Sequence, residues 1–356
     1  MKKIFALILA LIMIVSLFGC AQQESVKTEP TEPATVAPTE PARKTIHILL
    51  PEAMASQAME LVNILAASGD FDATTATCNS AEEQTKLLAE IAAQSKGDGN
   101  TAVVTMPMAA DMDPVFEQLL EANVDYALAD RIPAGAEAAS VANVYYDQRA
   151  IGAAVAAYLT QMGLTQKDKV LILQGITEEE AQRTEGFRLY LQGKMEVEGK
   201  TIETSWTSLE NIVYSDMQGT TRESAKTYME TYLSEADHAS TKYIAAWEDT
   251  YALGILDALE GEVIDSANKE SFLSGSPVLA GCGAGADMQA VLSGNTAYTC
   301  AASFDEIRAV LYSRELLNLA TQAMADYLNG AVVEQDQPQV ITWITAENAV
   351  VQTPEG

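Results

Sequence analysis

Strand-like and helix-like runs alternate along almost the whole chain after residue 44, and this alternation restricts the fold more than any other feature. The strand-like runs are short and rich in β-branched or aromatic residues, whereas the helix-like runs repeat apolar residues every three or four positions. Such an alternation builds right-handed βαβ units, in which helices cover both faces of a mainly parallel sheet. Because the strands fall into two successive sets, the sequence predicts an α/β fold of two doubly wound parallel-sheet lobes.

The predicted elements also indicate where binding residues belong. The predicted strands cover residues 45–50, 73–78, 101–106, 124–129, 142–146, 169–174, 201–206, 243–247, 277–282, 296–301 and 339–345. The predicted helices cover residues 54–67, 81–94, 115–122, 150–162, 180–193, 222–233, 251–259, 287–292 and 304–328. In doubly wound sheets the ligand crevice lies beyond the carboxyl ends of the strands, so we expect binding residues just after the strands.

Residues 1–19 read as a secretion signal. Two lysines precede an uncharged run, 4–18, which is about 15 residues long and therefore shorter than the about 20 residues that a membrane-spanning helix needs. The run ends at Gly19-Cys20, with an apolar residue three positions before the cysteine, which resembles a lipobox. We expect lipidation of Cys20 and anchoring on the extracytoplasmic face of the cell membrane. The alternative is an ordinary signal peptide with a chance cysteine.

Two segments are predicted to stay outside the fold. Residues 20–43 repeat Thr-Glu-Pro and contain almost no large apolar side chains, so they are expected to be a disordered tether. Residues 351–356 are expected to form a short tail. The remaining body of about 310 residues is long enough for two lobes with separate cores.

Charge and composition exclude several classes of function. The formal net charge is −29, so no basic face is available to neutralise the phosphates of a nucleic acid. The same acidity disfavours direct adhesion to anionic lipid, which leaves the anchoring to the lipid on Cys20. The body contains no second long apolar run, so we do not expect an integral membrane protein.

The reactive side chains form no recognisable catalytic or metal set. Besides Cys20 there are Cys78, Cys282 and Cys300, and the last two either form a disulfide or remain small buried thiols. The only histidines, His47 and His238, have no zinc-ligand spacing and complete no Ser-His-Asp set. We therefore predict no metal, no cofactor and no enzymatic activity.

A glycine-rich segment, 281–286, fits the G-x-G-x-x-A fingerprint of dinucleotide-binding folds. It stands late in the chain of an exported protein, which has little access to a nicotinamide cofactor. We interpret it as a tight turn between a strand and a short helix.

Four segments in this order resemble the type I periplasmic-binding-protein family, in its ribose- and galactose-binding branch. They are the strand 124–131 that ends in Asp-Arg, the R-x-x-G-F run 183–187, the W-E-D-T-Y-A-L-G run 247–254, and the closing I-T-A-E-N run 344–348. The resemblance covers residues 44 to about 350. It implies a hinge of three chain segments between the lobes. One lobe would comprise 44–148 plus 303–335, and the other 149–302 plus 336–350.

The resemblance also implies a ligand-binding set at the strand tips. Asp130 and Arg131 would act from the first lobe, and the second lobe would contribute the remaining residues Arg183, Glu248, Asp249, Glu179 and Trp247. An Arg fork and a carboxylate suit adjacent sugar hydroxyls, because one donates and the other accepts in a planar, bidentate geometry. Three alternatives stay open: a helix cap for Asp249, a first-turn carboxylate for Glu179, and a core side chain for Trp247.

The sequence departs from the family pattern at several positions, among them Glu248, where the family usually has Asn. Gly283 stands where the family places an Asp, and Ala302 stands near the usual Gln. The first loop, 51–59, also lacks the aromatic side chains that sandwich a pyranose. The second lobe has thus lost several sugar anchors, which leaves the identity of the ligand open.

The function implied by the resemblance is that of a monomeric solute-binding lipoprotein. It would deliver a small polar ligand, foremost a carbohydrate, to an ABC permease by hinge closure, with no bond made or broken. The alternative is a sensory co-receptor that presents its ligand to a membrane histidine kinase or chemoreceptor. A repressor with the same two-lobed core would need a basic DNA-binding segment at its N-terminus, where this chain carries the lipobox.

Overall fold

The computed structural model describes residues 43–69, 71–197, 204–217, 219–311 and 315–349. The predicted signal peptide, the lipidation site Cys20, nearly all of the predicted tether and the tail lie outside the described residues.

Twelve strands and ten α-helices occur in the described residues. The strands are β1 Lys44–Pro51, β2 Phe71–Cys78, β3 Thr101–Thr105, β4 Asp125–Ala129, β5 Ala142–Tyr145, β6 Val170–Leu173, β7 Ile212–Tyr214, β8 Tyr243–Ala246, β9 Val278–Gly283, β10 Glu306–Leu311, β11 Asp336–Pro338 and β12 Thr342–Ile344. The helices are α1 Ala58–Ser68, α2 Ala81–Gln94, α3 Asp113–Glu121, α4 Gln148–Gln161, α5 Glu178–Leu191, α6 Arg222–Tyr232, α7 Asp249–Glu260, α8 Ser266–Ser274, α9 Ala286–Leu292 and α10 Leu316–Leu328.

The strands form two six-stranded sheets, each the centre of one lobe. The first has the order β11-β5-β4-β3-β1-β2, and the second has the order β12-β10-β9-β8-β6-β7. Neighbouring strands are parallel throughout, except that β12 runs antiparallel to β10. The predicted α/β fold of two doubly wound lobes is therefore confirmed.

Both faces of the sheets are buried beneath helices. In β1, Ile46, Ile48 and Leu50 pack into one hydrophobic cluster, and Leu49 packs into another with Val103. Burial on both faces is typical of parallel sheets and explains why these strands read as continuous apolar runs. The same burial leaves the strand tips as the place where polar side chains can meet.

The chain passes between the two sheets three times: from β5 to α4, from β10 to α10, and from β11 to β12. The second and third passages differ from the expected ones. Residues 306–311 form β10 of the second sheet, and residues 336–338 form β11 of the first. The chain therefore returns to the first lobe after residue 311 and not at 303, and it leaves that lobe after residue 338 and not at 336.

The predicted helix 304–328 is wrong in its first part, because Glu306–Leu311 is a strand and the helix begins only at Leu316. The segment Glu-Ile-Arg-Ala-Val-Leu has good helix formers on either side of Val310, so its local preference does not exclude a helix. Pairing with β9 buries Ala309 and Val310 completely. This tertiary contact outweighs the local preference.

Three predicted strands also differ from the structure. For 201–206, the described part Thr204–Trp206 is not a strand, residues 201–203 lie outside the described residues, and β7 pairs with β6 in its place. In the predicted strand 296–301, residues 296–299 form a loop that leads into a short 3₁₀ turn, Cys300–Ser303. Of the predicted closing strand 339–345, only Thr342–Ile344 is a strand, β12. It is preceded by β11, which lies in the other sheet.

Candidate functional site

A crevice lies between the lobes, where the carboxyl ends of β4 and β5 face the first turn of α5. It contains a cavity of about 640 Å³. Its lining includes Asp130, Arg131 and Tyr145 from the first lobe, and Glu179 and Gln182 from the second. Three of the predicted site residues thus line one cavity between the lobes.

Asp130 occupies the first position after β4 and is exposed to the crevice. Its backbone has φ +67°, an unusual value for a residue other than glycine, and its N–H donates to the carbonyl of Val144 at 2.8 Å. This turn ends β4 and sets the side chain at the tip of the sheet. The protein around the crevice displaces part of the water near Asp130, and this desolvation raises the pKa of its carboxyl above the usual range. The guanidinium groups of Arg131 and Arg183 oppose that shift.

Arg131 bridges the two lobes. Its Nε donates to Glu179 Oε1 at 2.8 Å, Nη2 donates to the same oxygen, and Nη1 donates to the carbonyl of Met108 at 2.6 Å. Partial burial alone would raise the pKa of Glu179, but the backbone N–H of Glu179 and the Arg131 guanidinium hold it below its usual range. Two residues predicted to bind a ligand therefore bind each other across the crevice.

Arg183 is buried at the centre of a network inside the second lobe. Its Nε donates to Gln148 Oε1 at 2.7 Å, and its Nη1 donates to Glu248 Oε1 at 2.8 Å and to the carbonyl of Trp247. Burial raises the pKa of Glu248, although its contact with Arg183 opposes this. Arg183 and Glu248 therefore stabilise the tip of β8 by binding each other, and their charged groups are not both free to bind a ligand.

A close crossing of α4 and α5 sets the position of Arg183. A Cβ on Gly152 would lie 1.8 Å from the carbonyl oxygen of Arg183, and a Cβ on Gly186 would lie 1.9 Å from that of Arg149. Only glycine allows the two backbones to approach so closely. The glycine of the R-x-x-G-F run therefore has a packing role, which places Arg183 against the β8 tip.

Trp247 lies in the core. Its side chain is completely buried, its Nε1–H donates to Thr184 Oγ1 at 2.7 Å, and its ring packs edge-on against Phe187 with centroids 6.1 Å apart. The expected role of Trp247 as a ligand-stacking aromatic is therefore corrected. Its indole has no accessible face in this structure, and the core interpretation fits the geometry.

Asp249 binds the glycine-rich turn that follows β9. Its Oδ2 accepts the N–H of Gly285 at 2.5 Å, whereas Oδ1 has no hydrogen-bond partner among the described residues. Burial raises the pKa of Asp249 to about 7. The residue is the first of α7 and not its N-cap, which is Glu248, so the cap alternative for Asp249 is not what the structure shows.

Gly283 and Asp249 are fitted to each other. Gly283 has φ +128°, and a Cβ there would lie 2.8 Å from Asp249 Oδ2. The position where the family carries an acid is thus small because the carboxylate of Asp249 fills the adjacent space. The turn 281–286 uses an amide N–H to hold this carboxylate, which agrees with its interpretation as a structural turn.

Sequence reasoning missed Glu180, the residue after Glu179. Glu180 is almost completely buried, and its carboxylate accepts the N–H of Gly175 at 3.1 Å and both the N–H and the hydroxyl of Thr177. Together Thr177 and Glu180 form a capping box at the start of α5. The spacing Thr-x-x-Glu is a recognisable signal for this arrangement. It fixes the turn that carries Glu179 to the crevice.

The cysteines are buried thiols, and the cluster around His238 lies away from the crevice. Cys78, Cys282 and Cys300 are free and buried, so the disulfide alternative is not realised. The ring of His238 and the carboxylates of Glu235 and Asp237 have ligand atoms within 4.8 Å of one another. This cluster precedes β8, at the end of the strand opposite to the crevice.

Comparison with solved structures identifies the architecture. A ribose ABC transporter periplasmic protein of Conexibacter woesei superimposes with a TM-score of 0.64 at 17% identity, covering 86% of this chain and 93% of the other. A solute-binding protein of Bacillus halodurans with bound myo-inositol gives 0.60 at 17% identity, covering 87% and 98%. An arabinose-binding component of a Shewanella species, bound to L-arabinofuranose, gives 0.60 at 16% identity, covering 86% and 93%.

The chain has the type I periplasmic-binding-protein fold. No protein-family model and no curated protein matches the sequence. At 16–17% identity these proteins share the fold with this chain but few of its side chains. The departures from the family pattern at Gly283 and Ala302 are consistent with this low identity. Among the described residues, no helix is both long and apolar enough to cross a membrane.

Proposed function

We propose that this protein is an extracytoplasmic solute-binding lipoprotein that captures a small polar ligand, a sugar or polyol, between its lobes for ABC-type import. The observation that carries the proposal is the cavity at the strand tips, where Asp130 and Arg131 of one lobe face Glu179 of the other. Solved proteins of the same fold hold myo-inositol and arabinofuranose. No covalent step is part of the proposal.

Hydroxyl recognition follows from the chemistry of the crevice groups. Asp130 offers two acceptor oxygens, and Arg131 offers a planar fork of donors, so adjacent hydroxyls can be held by both at once. The second lobe is built to stay rigid, because Arg183 is already satisfied by Gln148 and Glu248. A ligand that contacts both lobes binds the closed form more tightly than the open form and so shifts the hinge equilibrium towards closure.

The proposed anchor rests on the sequence at Cys20 and on the Thr-Glu-Pro tether that follows it. A tether of 23 residues (21–43) with a rise of about 3.1 Å per residue reaches roughly 70 Å from the membrane surface. Membrane fractionation of the Cys20→Ser variant tests the anchor. The variant should move to the soluble fraction, and its retention in the membrane fraction would refute lipidation at this position.

The ligand itself tests the binding function. Protein purified from its native host without added sugar is denatured, and the released small molecules are identified by mass spectrometry. We expect a hydroxyl-rich solute of roughly one or two sugar rings, because the cavity is about 640 Å³. A released ligand without hydroxyl groups, such as an apolar acid, would contradict the proposal.

A further inference from the structure

The bond between Arg131 and Glu179 joins the two lobes directly. Two nitrogens of the guanidinium donate to the same oxygen, Glu179 Oε1, with Nε at 2.8 Å. The third nitrogen, Nη1, donates to the carbonyl of Met108 at 2.6 Å. All three nitrogens of the fork are therefore committed, and one of their partners belongs to the opposite lobe.

Each partner of this bond stands on a rigid element. Arg131 follows the strained turn at Asp130, whose N–H is bound to the β5 carbonyl of Val144. Glu179 lies in the first turn of α5, which begins with the capping box of Thr177 and Glu180. Because neither backbone is free to follow the other, opening of the lobes must pull the two side chains apart.

A second ion pair provides a contrast within the same helix. Arg149 Nε donates to Glu185 Oε2 at 2.6 Å, with both side chains about half exposed. Both residues belong to the second lobe, on α4 and α5, so this pair is independent of the hinge. The two pairs share their chemistry and one helix, but only the first spans the crevice.

We propose that Arg131 and Glu179 form a latch that holds the lobes together before ligand arrives, and that a ligand enters by displacing this contact. The side chains of Arg131 and Glu179 are partly exposed, at 33% and 28%. A pair of this kind can shift the equilibrium between the open and closed forms and can still be displaced by a ligand. Partly exposed pairs shift an equilibrium about two- to fivefold. The latch does not depend on which solute the protein binds.

The distance between the lobes tests the latch directly. Dyes are attached in the full chain at Glu121→Cys on α3 and Glu270→Cys on α8, in a Cys20→Ser background. Both positions are exposed, whereas Cys78, Cys282 and Cys300 are buried and shielded from the label. Energy transfer between the dyes is measured without ligand in the parent, in Glu179→Gln and in the control Glu185→Gln.

The latch predicts lower transfer in Glu179→Gln, corresponding to a two- to fivefold gain of the open form, and no change in Glu185→Gln. The double charge reversal Arg131→Glu with Glu179→Arg should restore the transfer of the parent. Transfer that is equal in the parent and Glu179→Gln, or that falls equally in Glu185→Gln, would overturn the proposal. Failure of the double reversal to restore transfer would overturn it as well.

Salt provides a second test, in which the parent protein alone can contradict the latch. At about 1 M salt the screening length falls to roughly 3 Å, so a partly exposed pair weakens. The parent should then open, and Glu179→Gln should show no further opening. A parent whose transfer is insensitive to salt would contradict the latch. Because this assay uses no sugar, it fails or succeeds independently of the proposed carbohydrate function.

Discussion

The tip of β4 in the first lobe and the tip of β8 in the second lobe use the same residue types in different ways. At the first tip, Asp130 and Arg131 point to the cavity, and Arg131 reaches over to the other lobe. At the second tip, Arg183 and Glu248 bind one another and Asp249 binds a neighbouring turn. The charged side chains of the first tip can exchange their present partners for a ligand, whereas those of the second tip are bound within their own lobe. A charged residue after a strand therefore marks the crevice but does not by itself identify a ligand contact.

Removing the central cation of each tip should separate the two cases most clearly. We expect Arg183→Met to lower the free energy of unfolding by about 3 kcal/mol, because it leaves Glu248 and the Trp247 carbonyl without their donor. Partial exposure of Glu248 keeps the loss at the low end of the range for buried pairs. Arg131→Met should cost only about 0–1 kcal/mol. Urea unfolding of both variants measures the difference, and equal losses would remove the distinction between the tips.

The helix crossing that supports the second tip should be the next most sensitive feature. We expect Gly186→Ala to cost about 1–3 kcal/mol, because its Cβ would lie 1.9 Å from a backbone oxygen of α4 and force the helices apart. The matched control is Gly281→Ala in β9, where a Cβ would have ordinary contacts of 3.5 Å or more. Chemical denaturation with a smaller loss for Gly186→Ala than for the control would contradict the packing role of this glycine.

Asp249 should make the stability of the second tip depend on pH. A carboxyl whose pKa is about 7 in the folded chain and about 3.9 when unfolded favours the fold below pH 4 and loses that contribution as the pH rises through 7. An amide does not titrate, so Asp249→Asn should melt at least about 2 °C above the parent at pH 8 and within about 1 °C of it at pH 4. Calorimetric scans that show the same offset at both pH values would refute the raised pKa.

Asp130 should have the smallest effect on stability and a large effect on binding. Asparagine tolerates a positive φ, so Asp130→Asn should change the free energy of unfolding by no more than about 0.5 kcal/mol. Thermal melting without ligand measures this difference. A loss of several degrees would mean that Asp130 supports the fold, as the residues of the second tip do.

The fold could be predicted from periodicity because most strands are buried on both faces and most helices have regular apolar spacing. One of the exceptions, Glu306–Leu311, has no distinctive local pattern, and only its pairing with β9 makes it a strand. Position after a strand located Asp130 and Arg131 at the crevice edge. Their partners could not be predicted, because the bond from Arg131 to Glu179 depends on how two distant segments meet.

The sequence was least informative where a side chain could serve either the ligand or the core. Trp247 follows a strand as a stacking residue would, yet its ring faces the packed side of α5 and not the crevice. Gly283 looked like a lost anchor, and the structure shows that it makes room for Asp249. Both outcomes depend on contacts with other segments, which local pattern does not encode.

Isothermal titration with a panel of neutral sugars and polyols tests the central claim most directly. We expect at least one of them to bind the parent with one site per chain and the control Glu117→Gln, on the exposed face of α3, with the same affinity. Asp130→Asn should weaken that binding at least tenfold, because a charged hydrogen-bond partner at the tip is lost. A panel in which no sugar or polyol binds, or binding that is unchanged in Asp130→Asn, would contradict the account of the crevice as a solute site.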